Sequence, residues 1–227
     1  MEVFHAWLLE LNSFSGIAGI TYFMLYRKKI NTIYGVVFLL IAASTLADCS
    51  NYFFMRLVYQ NSYIIGNLWF LLNFGISIWL FSKILPNHKI LLIVLSCIFY
   101  VGAVLSFITT YSFTDSNSFI KVSSSIVFTF LALRLYFELL KKPTGSLKFN
   151  PIFWIATALF LFSSLSLLRN LFLQYLVFDL EIGVSSYIYI STIYLLANIS
   201  KNLILFYALT LIDKGHLLTL TLDKEVK

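Results

Sequence analysis

Charged residues are scarce in this chain. Aspartate, glutamate, lysine and arginine make up 11% of its 227 residues, whereas hydrophobic residues make up 60%. Soluble globular domains carry about 25% charged residues. The composition therefore excludes an ordinary soluble domain and predicts an integral protein of a lipid bilayer.

Cysteine and histidine are also rare, which argues against metal and disulfide chemistry. The cysteines, Cys49 and Cys97, lack a CxxC spacing and are predicted to be small core residues. The histidines are expected outside the hydrocarbon core: His5, His88 and His216. Asp48 is the one acidic residue deep within a predicted span, so a paired-aspartate active site would lack its second carboxylate. We predict a non-enzymatic protein without a metal or cofactor.

Seven hydrophobic runs are long enough to cross a bilayer, which requires about 20 apolar residues each. They lie near residues 8–26, 32–54, 63–82, 90–110, 118–140, 152–176 and 187–212. The sequence thus predicts an all-α bundle of seven transmembrane helices in a single domain, residues 1–212. Residues 213–227 are predicted to form a cytoplasmic tail that is too short to fold alone.

The positions of the basic residues predict the orientation of the bundle. Every second connection is basic: Arg27, Lys28 and Lys29, then Lys83 and Lys89, then Lys141, Lys142 and Lys148, and finally Lys214, Lys224 and Lys227. Since basic loops stay in the cytoplasm, the amino terminus is expected outside and the carboxyl terminus in the cytoplasm. The net charge of +6 reflects this bias, so it gives no support to nucleic-acid binding.

Two segments align without a gap and point to an internal repeat. "NTIYGVVFLLIAASTLADCSNYF" begins at Asn31, and "NPIFWIATALFLFSSLSLLRNLF" begins at Asn150. A parallel repeat would relate the first three spans to the last three, with the fourth as the connector. The alternative is that both segments begin with Asn and continue as generic Phe/Leu/Ser helix.

Lys201 lies in an apolar stretch that carries no other charge between Tyr187 and Ile212. A lysine at the centre of a spanning helix costs roughly 2.5 to 3.5 kcal/mol, and such residues usually face the bundle interior. At about 1.5 Å per residue, Asp48 and Arg169 both lie roughly 24 to 27 Å from the inner end. The Lys201 side chain leans toward them, because helical side chains point toward the helix amino terminus.

We therefore predict an interior polar cluster in the outer half of the bilayer, where two cations face one carboxylate. Its members share helical faces: Asp48, Asn51, Asn73, Arg169, Asn170, Asn198, Lys201 and Asn202. The excess positive charge favours a small anionic or amphipathic ligand. A purely structural interpretation is also open, in which Asp48 neutralises Lys201 or Arg169 as a buried pair.

A central lysine on the seventh span resembles the retinal-binding rhodopsins, in which such a lysine forms a Schiff base. The resemblance implies a retinal-binding protein through Lys201. The sequence departs from that pattern at two places. Its third span has no acidic counterion, and Ala197 stands where the microbial pigments have an aspartate.

Segments of the last two spans resemble a group of small bacterial seven-helix proteins. The matching residues are Pro151, Phe153 and Trp154 for Pro-x-Phe-Trp, Asn170, Leu171 and Phe172 for Asn-Leu-Phe, and Asn198 and Asn202 for paired asparagines. Similar bundles precede histidine kinases as sensor modules. The resemblance implies a sensor in a bacterial inner (cytoplasmic) membrane.

The three-plus-one-plus-three arrangement also resembles small solute carriers of the sugar and vitamin-precursor type. This chain lacks the Pro-Gln dipeptide of the sugar carriers and the tryptophan pair of the vitamin carriers. Our leading hypothesis is a receptor-like protein that binds its ligand in the outer half and signals through a cytoplasmic or membrane partner. The alternative is a small-solute transporter that uses the same cavity.

Overall fold

The computed structural model describes residues 2–26, 32–57, 63–110, 117–141, 146–174 and 184–213. Its helices in chain order are α1 (Glu2–Phe14), α2 (Ile17–Tyr26), α3 (Thr32–Leu57), α4 (Tyr63–Ile84), α5 (Lys89–Thr109), α6 (Ser118–Lys141), α7 (Pro151–Gln174) and α8 (Val184–Asp213). Short 3₁₀ turns at Pro86–His88 and Leu147–Phe149 precede α5 and α7. In these ranges the fold is all-helical, as the composition predicts.

Within the described residues, seven helical segments are long and apolar enough to cross a membrane. They indicate a multi-pass membrane protein. Six of them begin and end within a few residues of the predicted runs. The first, Phe4–Leu25, begins four residues before the predicted residue 8 and is divided into α1 and α2 by a turn at Ser15 and Gly16.

Asparagine side chains begin two of the helices. The Asn117 side-chain oxygen accepts a hydrogen bond from the Ile120 N–H at 3.2 Å, and the Asn150 side-chain oxygen accepts one from the Ile152 N–H at 2.9 Å. These caps satisfy amide groups that have no partner within the first turn of a helix. Pro151 follows Asn150 as the first residue of α7, where its missing N–H costs nothing.

The helices pack with α3, α7 and α8 at the centre. Helix α7 packs between α6 and α8, α3 packs on α4, and both α1 and α2 pack on α3 and α8. Helix α5 lies at the edge against α4 and α6. Stacked rings lie at two of these helix contacts. The ring centres of Phe23 and Phe38 are 3.7 Å apart between α2 and α3, and those of Phe74 and Phe99 are 3.7 Å apart between α4 and α5.

The outer surface is apolar and the interior holds the polar side chains. Ile90 and Ile108 on α5 are 80% and 75% exposed, whereas Asn198 and Lys201 on α8 are each 2% exposed. A soluble protein of this size would reverse this distribution. The arrangement fits a lipid environment, where apolar side chains face the acyl chains.

One expectation about rare residues needs correction. Cys97 is exposed on α5 instead of buried, whereas Cys49 is half-buried. The rotation of α5 about its axis decides which side chains face outward, and the length of a hydrophobic run does not determine that rotation. His5 lies near the beginning of α1, and its Nδ1 is 3.1 Å from the Thr192 hydroxyl oxygen of α8.

The spacing of Arg134 and Glu138 on α6 predicts a local ion pair. The structure confirms it, with 3.0 Å between Arg134 Nη2 and Glu138 Oε1. The orientation of the bundle and the internal repeat stay predictions. The predicted tail lies outside the described residues apart from Asp213.

Candidate functional site

The first membrane span is broken where it meets the polar interior. After α1 ends at Phe14, the Asn12 carbonyl accepts hydrogen bonds from the Ser15 N–H at 3.2 Å and from the Ser15 hydroxyl at 2.9 Å. Gly16 then passes so close to α3 that a Cβ atom there would overlap the Thr45 hydroxyl. Hydrogen bonds within the segment therefore occupy backbone groups at the break, and the break brings polar atoms into the membrane interior.

Helix α8 holds this break through a stripe of asparagines. The Asn198 side-chain nitrogen donates to Asn12 Oδ1 at 2.8 Å and to Asp48 Oδ2 at 2.8 Å. One turn further along, the Asn202 side-chain nitrogen donates to the Ser15 hydroxyl at 2.7 Å. The four-residue spacing of the two asparagines places both on one helical face. Polar side chains thus join α1, α3 and α8 at one level.

Lys201 lies between the two asparagines and points into the same interior. Its Nζ donates to the Ser44 hydroxyl at 2.9 Å and lies 4.4 Å from the Phe162 ring centre and 5.6 Å from the Trp69 ring centre. Aromatic faces attract cations within about 6 Å. One hydroxyl and two rings therefore surround the ammonium group.

Asp48 and Lys201 are neighbours but not a direct ion pair. No nitrogen-to-oxygen distance of 4.0 Å or less joins them within the described chain, although their charges attract each other. The Ser44 side chain interacts with both groups. A neutral hydroxyl thus bridges the cation and the carboxylate, and the interpretation that Asp48 neutralises Lys201 stays a prediction.

Arg169 occupies a different part of the interior. Its guanidinium lies 4.4 Å from the Tyr194 ring centre, and the Tyr194 ring lies 5.7 Å from the Phe162 ring that faces Lys201. The buried Arg169 Nε has no hydrogen-bond partner among the described residues. Two neighbouring rings, Tyr194 and Phe162, thus contact the two cations that the sequence assigns to one cluster.

Lys121 adds a third basic group to this interior. It lies in the first turn of α6 and is half-buried. Its ammonium lies 5.8 Å from the Tyr63 ring centre and 6.0 Å from the Phe70 ring centre. Its charge repels that of Arg169.

Four of the eight predicted site residues meet in one hydrogen-bonded group: Asp48, Asn198, Lys201 and Asn202. The other four are buried or half-buried outside it. Asn170 donates weakly to Ser166 at 3.5 Å. Asn51 and Asn73 make no hydrogen bond to the group in the part of the chain that the structure describes.

Sequence reasoning missed the contribution of the first span. Asn12 and Ser15 complete the group, and the signal for them was the polar interruption "LNSFSG" within an apolar run. It also missed the aromatic side chains around the cations, because Phe and Trp are common on every face of such helices. The described residues contain no set of three metal-ligating side chains.

Cationic groups, amide donors and aromatic rings lie together in this interior, where one carboxylate, Asp48, belongs to the hydrogen-bonded group. A scan of protein-family models and searches of curated proteins and solved structures find no match to this chain. The contacts of the chain itself therefore carry the functional argument.

Proposed function

We propose that this protein is a receptor-like, non-enzymatic seven-helix membrane protein. It binds a small anionic or amphipathic ligand in its predicted outer half, with the anionic group at Arg169, and signals through a partner. The observation that carries this proposal is the Arg169 guanidinium, which is half-buried on Tyr194 and whose buried Nε has no partner among the described residues.

The chemistry of arginine supports an oxyanion at this position. A guanidinium presents five N–H donors in a planar fork that matches a carboxylate or a phosphate. A buried donor without an acceptor costs about 1–3 kcal/mol, so an anionic acceptor would recover that free energy.

The rings around the cations support an amphipathic ligand over a simple inorganic anion. Tyr194 contacts Arg169, Phe162 contacts Lys201, and the two ring centres lie 5.7 Å apart. An apolar or aromatic group that accompanies the anion would pack on these faces. Segments of α7 and α8 resemble small bacterial seven-helix proteins, and similar bundles precede histidine kinases, which supports signalling through a partner.

The proposal is tested with a matched pair of probes. Phenylacetate and the neutral phenylacetamide share one ring, so only the charged probe is expected to raise the melting temperature of the purified protein. At a concentration 100 times the dissociation constant, the expected stabilisation is about 2.7 kcal/mol. Inorganic phosphate, added separately, shows whether the anion binds without an apolar group.

Two arginine variants complete this test. Arg169→Gln is expected to abolish the stabilisation by phenylacetate. Arg134→Gln is the matched control, since Arg134 pairs with Glu138 away from the site. Equal stabilisation by the charged and the neutral probe, or an unchanged response of Arg169→Gln, would contradict the proposal.

The broken first span favours a second candidate, a small-solute transporter. Carriers often bind substrates at interrupted helices, because the free helix ends supply backbone and side-chain polar groups within the membrane. Here the interruption between α1 and α2 contacts Asn198 and Asn202 of α8. A rearrangement of these bonds would open one side of the bundle and close the other.

Counterflow separates the two candidates. Proteoliposomes preloaded with unlabelled phenylacetate are placed in labelled phenylacetate, and the label is followed over time. A receptor binds the probe without moving it, so the lumen stays unlabelled. Rapid accumulation that disappears in Arg169→Gln would instead favour the transporter.

A further inference from the structure

A groove runs between α4 and α5 on the side of the bundle that faces the lipid, away from the candidate site. Its volume is about 610 Å³. It exists because Gly75 has no side chain and because Ser96 and Cys97 on the facing helix are small. Trp79 and Ile93 form its walls and are 45% and 62% exposed, so the groove opens toward the surrounding lipid.

Two lysines stand at one end of this groove. Lys83 lies in the last turn of α4, and Lys89 is the first residue of α5. Both side chains are exposed, and neither makes an ion pair or a hydrogen bond with any described residue. The 3₁₀ turn Pro86–His88 joins α4 to α5 between them, and both lysines line the groove. An apolar groove thus ends at two uncompensated positive charges.

The dimensions of the groove match one leaflet of a bilayer. From Gly75 to Lys83, α4 rises about 12 Å. Half of a hydrocarbon core measures about 15 Å. A chain that lies along Trp79 and Ile93 would therefore place its polar end at Lys83 and Lys89, at the level where lipid headgroups begin.

We propose that this groove is a binding site for an anionic phospholipid of the surrounding bilayer. One acyl chain lies between α4 and α5, and the phosphate is held by Lys83 and Lys89. The charge pattern selects this occupant. A zwitterionic lipid such as phosphatidylcholine carries an ammonium group that offsets its phosphate, so it offers the two lysines no net negative charge. A free phosphate would leave the apolar walls unused.

Native mass spectrometry of the full chain tests the site with two defined lipids, phosphatidylglycerol and phosphatidylcholine. The wild type is expected to retain phosphatidylglycerol in preference to phosphatidylcholine. The double variant Lys83→Gln/Lys89→Gln is expected to bind phosphatidylglycerol about tenfold more weakly, since each basic residue near an anionic headgroup contributes to affinity. Its binding of phosphatidylcholine should not change.

The matched control removes the same charge elsewhere. Lys141→Gln/Lys148→Gln neutralises two basic residues at the ends of other helices, outside the groove. It is expected to keep the wild-type preference. Equal loss of phosphatidylglycerol by both double variants would overturn the proposal, because binding would then follow overall charge.

A variant that fills the groove tests the apolar half of the site with the charges intact. Ser96→Phe places a ring in the groove and is expected to release the bound lipid, while melting temperature confirms that the protein is folded. Retention of phosphatidylglycerol by this variant would overturn the proposal. So would a dimer in the mass spectrum of the wild type that Ser96→Phe converts to monomer, because a second copy would then be the occupant.

Discussion

The ammonium of Lys201 donates a hydrogen bond to the hydroxyl of Ser44 at 2.9 Å. Asp48 lies one turn beyond Ser44 on α3, and its carboxylate accepts from Asn198 instead of from the ammonium. Charged groups in a membrane interior usually pair or bind a ligand. Here a hydroxyl mediates between the two charges, so each keeps its own neutral hydrogen-bond partner.

Ser44→Ala is therefore expected to destabilise the protein by about 1–3 kcal/mol, because it leaves a buried ammonium without its acceptor. The measurement is the free energy of unfolding in mixed detergent. Ser82→Ala is the control, since the Ser82 hydroxyl is half-exposed and donates to the Trp79 carbonyl of its own helix. Its expected change is within about 0.5 kcal/mol. A similar decrease in the free energy of unfolding in both variants would show that the hydrogen bond from Lys201 to Ser44 adds no particular stability.

The sequence predicts the cluster of Asp48, Asn198, Lys201 and Asn202 because helical spacing fixes which residues share a face. It also predicts seven spans, since apolar run length is a direct physical requirement of the bilayer. The separate position of Arg169 was not predictable in the same way. Spacing along α7 says nothing of how far that helix is rotated relative to α8, and this rotation places Tyr194 against the guanidinium.

The break in the first span is a second feature that the length of the hydrophobic run does not predict. Hydrophobicity averages over a turn or two, so a short polar interruption such as Ser15 and Gly16 does not end the run. Its position becomes clear only from tertiary contacts, where Asn198 and Asn202 bind Asn12 and Ser15. These contacts are also the reason that the break is stable within the membrane.

The bond between Asn198 and Asn12 is expected to couple α8 to α1. A double-mutant cycle of Asn198→Ala and Asn12→Ala should give a coupling free energy of about 0.6 to 1.7 kcal/mol, the range of hydrogen bonds between membrane helices. A parallel cycle of Asn198→Ala with Asn73→Ala should be additive, because no hydrogen bond joins that pair within the described chain. Zero coupling in the first cycle would contradict the contact.

Gly16→Ala is expected to destabilise the protein by about 1–3 kcal/mol through overpacking. A methyl group at this position would overlap Thr45 and lie 3.2 Å from the Ile41 Cγ2 atom. Gly66→Ala in α4 is the matched control, since nothing lies within 4 Å of its added methyl group. That variant should be neutral or slightly stabilising, as glycine is a poor helix former. A neutral Gly16→Ala would mean that α1 and α2 move away from α3 without cost.

The predicted orientation is testable with introduced cysteines at two exposed connections. In a chain carrying Cys49→Ser and Cys97→Ser, Thr110→Cys should react with a membrane-impermeant maleimide on intact cells, because its end of the bundle is predicted to be outside. Asn87→Cys lies beside the basic residues Lys83 and Lys89 and should react only after the cells are opened. Both positions are exposed in the structure, so accessibility of the side chain itself is matched. The reverse pattern of labelling would refute the orientation.

The last prediction distinguishes a ligand site from an internal brace at Lys201. If Lys201 only balances Asp48, removal of one charge should strand the other at a cost of about 3–5 kcal/mol, and Asp48→Asn/Lys201→Met should restore stability. Because Ser44 separates the two groups, we expect a smaller loss of unfolding free energy in each single variant and little recovery of it in the double variant.

The response to phenylacetate should fall in Lys201→Met and stay low in the double variant, since the loss of positive charge near Phe162 persists. Unfolding free energies and probe-induced shifts are measured for the two single variants and the double. Recovery of both quantities in the double variant would assign Lys201 to the scaffold and leave Arg169 as the one candidate for the anion.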